Sequence, residues 1–195
     1  MLDYFKKLPI DFGQGNLRFT TKGKLIALSF VKNGYGKKAL DVGCREGVQT
    51  KWLEEKGYQV TSVDNKKVFK KCIIVDLNKK LFFNDKSFDL IWCSEVIEHL
   101  DNPSLTESEF RRVLKPGGEM ILTTPNSYSW IFLFGLLAKK MQRKDHKQFF
   151  SMKDMKNLFP KAEIYGYFPY WGKFRYLINK GIRILSPTFI IFIKN

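Results

Sequence analysis

The sequence predicts an α/β fold, a doubly wound and mostly parallel sheet, on three observations. The first is a change of character inside 39-ALDVGCREG-47. Residues 38–42 read as a short buried strand, and residues 47–56 (GVQTKWLEEK) read as a helix with Val48, Trp52 and Leu53 on one face. The second is a further strand, 58–63 (YQVTSV), that runs into Asp64, 21 residues after Gly43. At about that spacing a carboxylate ending the second strand of such a sheet meets a ribose hydroxyl. The third is that the alternation continues, with apolar runs at 88–93 (FDLIWC) and 119–124 (EMILTT) separated by the amphipathic stretch 103–114. In a parallel α/β sheet the ligand lies beyond the carboxyl ends of the strands, against the first strand-to-helix turn. Gly43 lets the backbone approach it closely, and Gly47 lets the helix start close to the sheet. The turn and the acid describe a nucleoside site.

Ahead of the first strand, residues 20–31 (TTKGKLIALSFV) carry apolar side chains consistent with a helix, which Gly34 and Gly36 are expected to end. After Asp64 the segment NKKVFKK has room for no more than two helical turns, so a truncated helix is expected. A third strand is expected at 72–75 (CIIV), ending on Asp76. The fourth strand, 88–93, opens into 94-SEVIEHL-100. On a helix Glu95, Glu98 and His99 would share one face. Phe110, Val113 and Leu114 turn the next helix inward, and 115-KPGG-118 is expected to stop it.

What is missing narrows the ligand. The turn G-C-R-E-G lacks the G-x-G-x-x-G that cradles a pyrophosphate, and no Walker loop is present. A nucleoside carrying an amino acid on its ribose fits better. At Asp41, Gly43, Cys44 and Gly47 the stretch resembles the D-x-G-C-G-x-G motif of class I S-adenosylmethionine-dependent methyltransferases, with Arg45 in place of the middle glycine. F-D-L-I, E-V-I-E-H-L and R-V-L-K-P-G-G-E-M-I-L-T-T-P-N resemble the type 11, ubiquinone-type O-methyltransferase branch of that class, over residues 38–126 without a break.

That resemblance implies a Rossmann-like sheet of seven strands in the order 3-2-1-4-5-7-6, the last antiparallel, with strand six at 162–168 and strand seven at 188–193. It implies S-adenosyl-L-methionine as cofactor, with Asp41, Gly43, Cys44 and Gly47 at the turn and Asp64 on the ribose. Asp76 and Leu77, in a D-L-x-x-x-L run, would meet the adenine, and Cys93 and Ser94 are further candidate cofactor-binding residues. Arg18, within Asn16-Leu17-Arg18, resembles the N-L-R element whose arginine reaches the methionine carboxylate. The E-x-x-E-H run is similar to one that holds a metal in ubiquinone-pathway O-methyltransferases and small-RNA 2′-O-methyltransferases. Glu95, Glu98 and His99 are therefore candidate ligands for Mg2+ or another divalent ion, and His146 is the candidate for the distant histidine that the RNA enzymes add. His99 and His146, the two histidines of the chain, are the candidate catalytic bases. His146 lies in D-H-K-Q-F-F-S, similar to an element these enzymes carry before their last helix.

The 195 residues suit one domain, with 1–37 as an N-terminal helical extension and 127–160 as an insertion covering the substrate. Three cysteines without C-x-x-C spacing argue for a reducing cytoplasm, and the first residues hold no signal-like apolar core. The net charge of +15 is concentrated late: from Ser127 onward 13 Lys and Arg stand against 3 Asp and Glu. Such a surface attracts anionic partners, whether RNA, lipid head groups or phosphorylated substrates. Residues 130–138 (WIFLFGLLA) would span about 14 Å as a helix. A bilayer core needs ~30 Å, so this run is no transmembrane segment. It is expected either to pack as a lid or to contact an anionic membrane peripherally, with the basic residues 139–144 beside it. Three functions follow: methylation of a small-molecule or lipid-linked hydroxyl, which is favoured; methylation of RNA; and a cofactor-binding partner subunit without catalysis.

Overall fold

The computed structural model describes residues 21–129, 146–167, 175–177 and 185–195. Arg18 and the apolar run 130–138 lie outside the described residues.

The first element among the described residues is helix α1 (Lys22–Leu28), whose Thr21 side chain caps the Lys24 amide at 3.4 Å. The helix stops at Ser29, whose amide bonds back to Leu25 and Ile26, so the expected end at Gly34 and Gly36 is corrected to a point five residues earlier. Strand β1 (Lys38–Val42) leads into α2 (Val48–Glu55), then β2 (Gln59–Asp64). No helix forms at 65–71, and β3 shortens to Ile73–Ile74. Both isoleucines are exposed at the sheet edge, which explains why only two of the four expected residues pair.

Strand β4 (Phe88–Ser94) is followed by a single 3-10 turn (Ile97–His99) and helix α3 (Pro103–Val113). Asn102 caps α3 through the Leu105 amide at 3.1 Å, and Pro103 stands at its first position, where its missing N–H costs nothing. Strand β5 (Leu114–Pro125) begins where α3 ends. The KPGG run therefore lies inside the strand, as a register shift against β4 between Phe88 and Leu90, and not as a separate stop. After α4 (Met152–Leu158), which Ser151 and Asp154 start with a reciprocal capping box, come β6 (Glu163–Tyr167), β7 (Arg175–Leu177) and β8 (Thr188–Lys194).

The strands form one sheet in the order β3-β2-β1-β4-β5-β8-β6-β7. Pairing is parallel from β3 to β5, and β8 runs antiparallel to both β5 and β6. This is the expected 3-2-1-4-5-7-6 arrangement, with β8 in the seventh position and the short β7 added outside β6. The continuous apolar runs of β4 and β5 follow from burial on both faces. One face packs Leu40, Val42, Ile91, Leu122 and Ile191 with Phe110 and Val113 of α3. The other packs Ala39, Leu90, Trp92 and Ile121 against Ala27 of α1 and Leu53 of α2. Because β1, β2 and β4 run parallel, their carboxyl ends, and the turns that follow them, share one edge.

Candidate active site

The first turn is built from left-handed residues. Gly43, Arg45 and Gly47 have φ of 76°, 45° and 79°. A Cβ on Gly43 would stand 2.3 Å from Val96 Cγ2, and one on Gly47 would stand 2.7 Å from Phe69 Cδ2, so the glycines are demanded by packing as well as by backbone conformation. The Gly43–Val96 approach also brings the turn after β4 directly onto the turn after β1.

Beneath the turn, Asp41 is fully buried. Thr50 Oγ1 donates to its Oδ2 at 2.5 Å and meets Ser62 Oγ at 2.9 Å. Burial pushes the Asp41 carboxyl up to about 7, against the opposing pull of the Thr50 hydrogen bond. Asp64 is half-buried at the end of β2. Its Oδ2 accepts the Arg45 amide at 2.9 Å and its Oδ1 the Lys66 amide at 3.3 Å. An ionised carboxylate offers about four lone-pair sites, so these two bonds leave capacity for a pair of ribose hydroxyls. The Asp64 carboxylate and the small turn beside it thus suit the nucleoside end of S-adenosylmethionine.

Asp76 is exposed after β3. Its carboxylate is held below the usual range, chiefly by the Asn78 amide, which donates at 3.0 Å. Leu77 is buried, and its carbonyl accepts from Thr106 Oγ1 at 2.8 Å. The Cys44 and Cys93 thiols are fully buried, and burial raises both well above the ordinary thiol range. Cys93 packs in the core, so its backbone is what it offers a ligand. Ser94 Oγ pairs with Thr123 Oγ1 at 2.8 Å.

The expected helical face carrying Glu95, Glu98 and His99 does not form. Glu95 takes a left-handed φ of 56°, its amide pairs with Thr123 O at 2.8 Å, and its Oε1 accepts from Thr123 Oγ1 at 3.0 Å. Only Ile97–His99 turn as a 3-10 helix. Glu95 is thereby separated from the other two, and His146 takes its place. Ligand atoms of Glu98, His99 and His146 lie within 4.8 Å of one another. The two imidazoles meet edge to face, with ring centroids 4.9 Å apart. Glu98 is buried and accepts from Thr124 Oγ1 at 3.0 Å, while its carbonyl takes the amides of Lys147 and Gln148 at 2.9 Å each. Those two bonds are what bring His146 beside His99. Thr50, Asn78 and Thr124 carry no sequence signal, because a lone polar residue has no pattern of its own.

The strand order and the nucleoside-type turn define a Rossmann-like methyltransferase architecture. Residues 17–164 match the family described as methyltransferase domain, which is most of the chain. The chain belongs to that family. Its fold is similar to a S-adenosylmethionine dependent methyltransferase from Mesorhizobium loti, with a TM-score of 0.69 at 15% identity over 91% of this chain and 100% of that one. A SAM dependent methyltransferase from Archaeoglobus fulgidus gives a TM-score of 0.68 at 18% identity, covering 92% and 97%. In sequence it is 29% identical to the ubiquinone biosynthesis O-methyltransferase of Idiomarina loihiensis over 133 residues, 58% of this chain and 54% of that protein. The Dechloromonas aromatica protein of the same name is 29% identical over 120 residues, 53% and 50%. The chain spans about half the length of these curated relatives. Among the described residues no helix is long and apolar enough to cross a membrane.

Proposed function

We propose that this protein transfers the methyl group of S-adenosylmethionine to a hydroxyl of a small-molecule or lipid-linked acceptor in the cytoplasm. The observation that carries the reading is the contact between two turns. Glu98 and His99 follow β4, with His146 of the segment before α4 beside them, and Val96 of the same β4 turn fills the space beside Gly43 of the nucleoside turn. Acid–base groups then stand next to the place where a nucleoside-borne methyl would be presented. The named activity of the curated relatives, O-methylation, supports the choice of oxygen as acceptor.

In this reading Asp64 holds the ribose, Asp76 and Leu77 meet the adenine, and the backbone of Gly43, Cys44, Gly47, Cys93 and Ser94 lines the rest. Arg18 would bind the methionine carboxylate. S-adenosylmethionine supplies an electrophilic methyl on its sulfonium. The chain has to hold the acceptor oxygen in line with it, a positioning effect worth up to about 7–11 kcal/mol. His99 or His146 would accept the proton that the acceptor hydroxyl loses, a contribution of roughly 10²–10⁴ in rate.

Glu98, His99 and His146 also fit a divalent ion, which would lower the pKa of the acceptor hydroxyl. With His146 in place of Glu95 the donor set is one oxygen and two nitrogens, which suits zinc- or iron-like ions better than Mg2+. An RNA 2′-hydroxyl is the second reading, favoured by the basic residues after Ser127. Peripheral contact of 130–138 with an anionic membrane would deliver a lipid-linked acceptor.

The test is calorimetry with S-adenosylhomocysteine, followed by mass spectrometry of small-molecule, lipid and RNA fractions incubated with the protein and labelled cofactor. Binding together with a methylated small molecule or lipid is the expected result. A protein that does not bind the cofactor product overturns the reading, and label confined to RNA replaces the acceptor.

A further inference from the structure

Asn78 stands between the two halves of the candidate site. Its backbone amide and its Nδ2 both donate to Asp76 Oδ1, at 3.0 and 3.3 Å. Its Oδ1 accepts from the amides of Asp101 and Asn102, at 2.8 and 3.4 Å. Two N–H donors facing one atom fix that atom as the carbonyl oxygen, so the side chain has a single orientation. Its acceptor end is committed to the turn after His99 and its donor end to the carboxylate after β3.

The far side of that turn is bonded to the histidine segment. Glu98 O accepts from Lys147 N and Gln148 N, Leu100 O accepts from Gln148 Nε2 at 3.3 Å, and Lys147 pairs with Asp101 at 2.7 Å. The Lys147–Asp101 pair is exposed and adds little by itself. The backbone bonds make the mechanical link. A shift of Asp76 is therefore transmitted through Asn78, entering by its backbone amide, the shorter of the two bonds, and leaving by its Oδ1 to residues 98–102, and from there to His146.

We infer that Asn78 is a positioning residue: it aims the Asp76 carboxylate at the cofactor and couples cofactor occupancy to the placement of His146 against His99. This deepens the proposed function and rests on Asp76 meeting the nucleoside. Nothing else among the described side chains bonds both Asp76 and the 101–102 backbone. Thr106 holds the same loop at Leu77 O, and Glu109 holds it at Leu81 N, but both belong to α3 and neither touches Asp76.

The chain has only two histidines, so imidazole NMR reads His146 directly. In the unaltered protein, saturating S-adenosylhomocysteine is expected to shift the His146 signals. Asn78→Ala should weaken binding on the order of tenfold, as loss of hydrogen bonds to a charged group does. When it is saturated with the ligand, its His146 signals should stay where they were. Asn78→Asp keeps an acceptor for the Asp101 and Asn102 amides while placing a negative charge beside Asp76. It should bind more weakly yet retain the His146 shift. If Asn78→Ala does not fold, Asn78→Asp carries the test alone, and loss of its His146 shift overturns the inference. An undiminished His146 shift in folded, saturated Asn78→Ala overturns it too. Absence of any binding by the unaltered protein is a different result: it overturns the proposed function and this inference with it.

Discussion

Arg45 donates its backbone N–H to Asp64 Oδ2 at 2.9 Å while held at a φ of 45°, a conformation that favours glycine. The bond joins the turn after β1 to the end of β2, so the acid proposed to hold the ribose also fastens the loop beside it. A left-handed non-glycine residue costs roughly 1–2 kcal/mol, against about 0.5–1 kcal/mol for the greater freedom of glycine in the unfolded chain. Arg45→Gly is expected to stabilise the protein by up to about 1 kcal/mol in urea denaturation. A loss of stability would mean that the arginine side chain contributes contacts of its own.

For Asp64 itself, removal of a charged hydrogen-bond acceptor should weaken S-adenosylhomocysteine binding by about 1.5–3 kcal/mol in Asp64→Ala. Asp64→Asn keeps one acceptor for the Arg45 amide and should lose less. Equal affinities for both variants and the unaltered protein, measured by calorimetry, would remove Asp64 from the ribose.

Gly43 and Gly36 form a matched pair. Both have left-handed φ, 76° and 72°, but a Cβ on Gly43 meets Val96 at 2.3 Å and one on Gly36 meets nothing within 4 Å. Gly36→Ala should cost about 1–2 kcal/mol from backbone conformation alone. Gly43→Ala should cost a further 1–3 kcal/mol, roughly, from overpacking. A double-mutant cycle should recover part of that excess in Gly43→Ala with Val96→Ala, and equal costs at the two glycines would show that Val96 moves aside freely.

Asp41 sets a pH dependence whose sign is opposite to that of a salt-bridged carboxylate. Its folded pKa is raised from 3.8 to about 7, so the folded state holds a proton that the unfolded state releases. The contribution is fully present below about pH 4 and is lost as pH rises through about 7, a range worth at most ~4 kcal/mol. Asp41→Asn is expected to match the unaltered protein at pH 4 and to exceed it in stability at pH 8. Parallel stability curves for the two proteins across that range would show that Asp41 ionises in the fold as easily as in water.

The acid–base group predicts different fates for the two glutamates of the E-x-x-E-H run. If a divalent ion is used, chelator abolishes turnover, and Glu98→Gln and His146→Gln lose the response to added ion. Glu95→Gln keeps it, because Glu95 is turned toward Thr123. Full turnover in excess chelator leaves an imidazole as the base, and then kcat should fall by roughly 10²–10⁴ in whichever histidine variant removes it.

The sequence by itself determined the parallel core of the sheet. Strands β1, β4 and β5 are buried on both faces, so burial is written into consecutive apolar residues, and the glycine turn and Asp64 follow from strand ends that such runs locate. It did not determine the short β3, whose exposed isoleucines read like those of any buried strand, or the added edge strand β7. Of the acid–base group, the resemblance put His146 forward as a distant addition to the E-x-x-E-H run, but which side chains meet was decided by the fold. Helical spacing grouped Glu95 with Glu98 and His99, but one left-handed residue, held by a backbone bond to Thr123, breaks that spacing. His146 reaches the group through backbone bonds from Lys147 and Gln148 to the Glu98 carbonyl, and Asn78 reaches Asp101 by accepting its amide at the side-chain Oδ1. Periodicity records which face of a segment meets the core. A hydrogen bond between distant backbone groups depends on where the whole sheet brings two loops together, and it leaves no periodic trace in either segment.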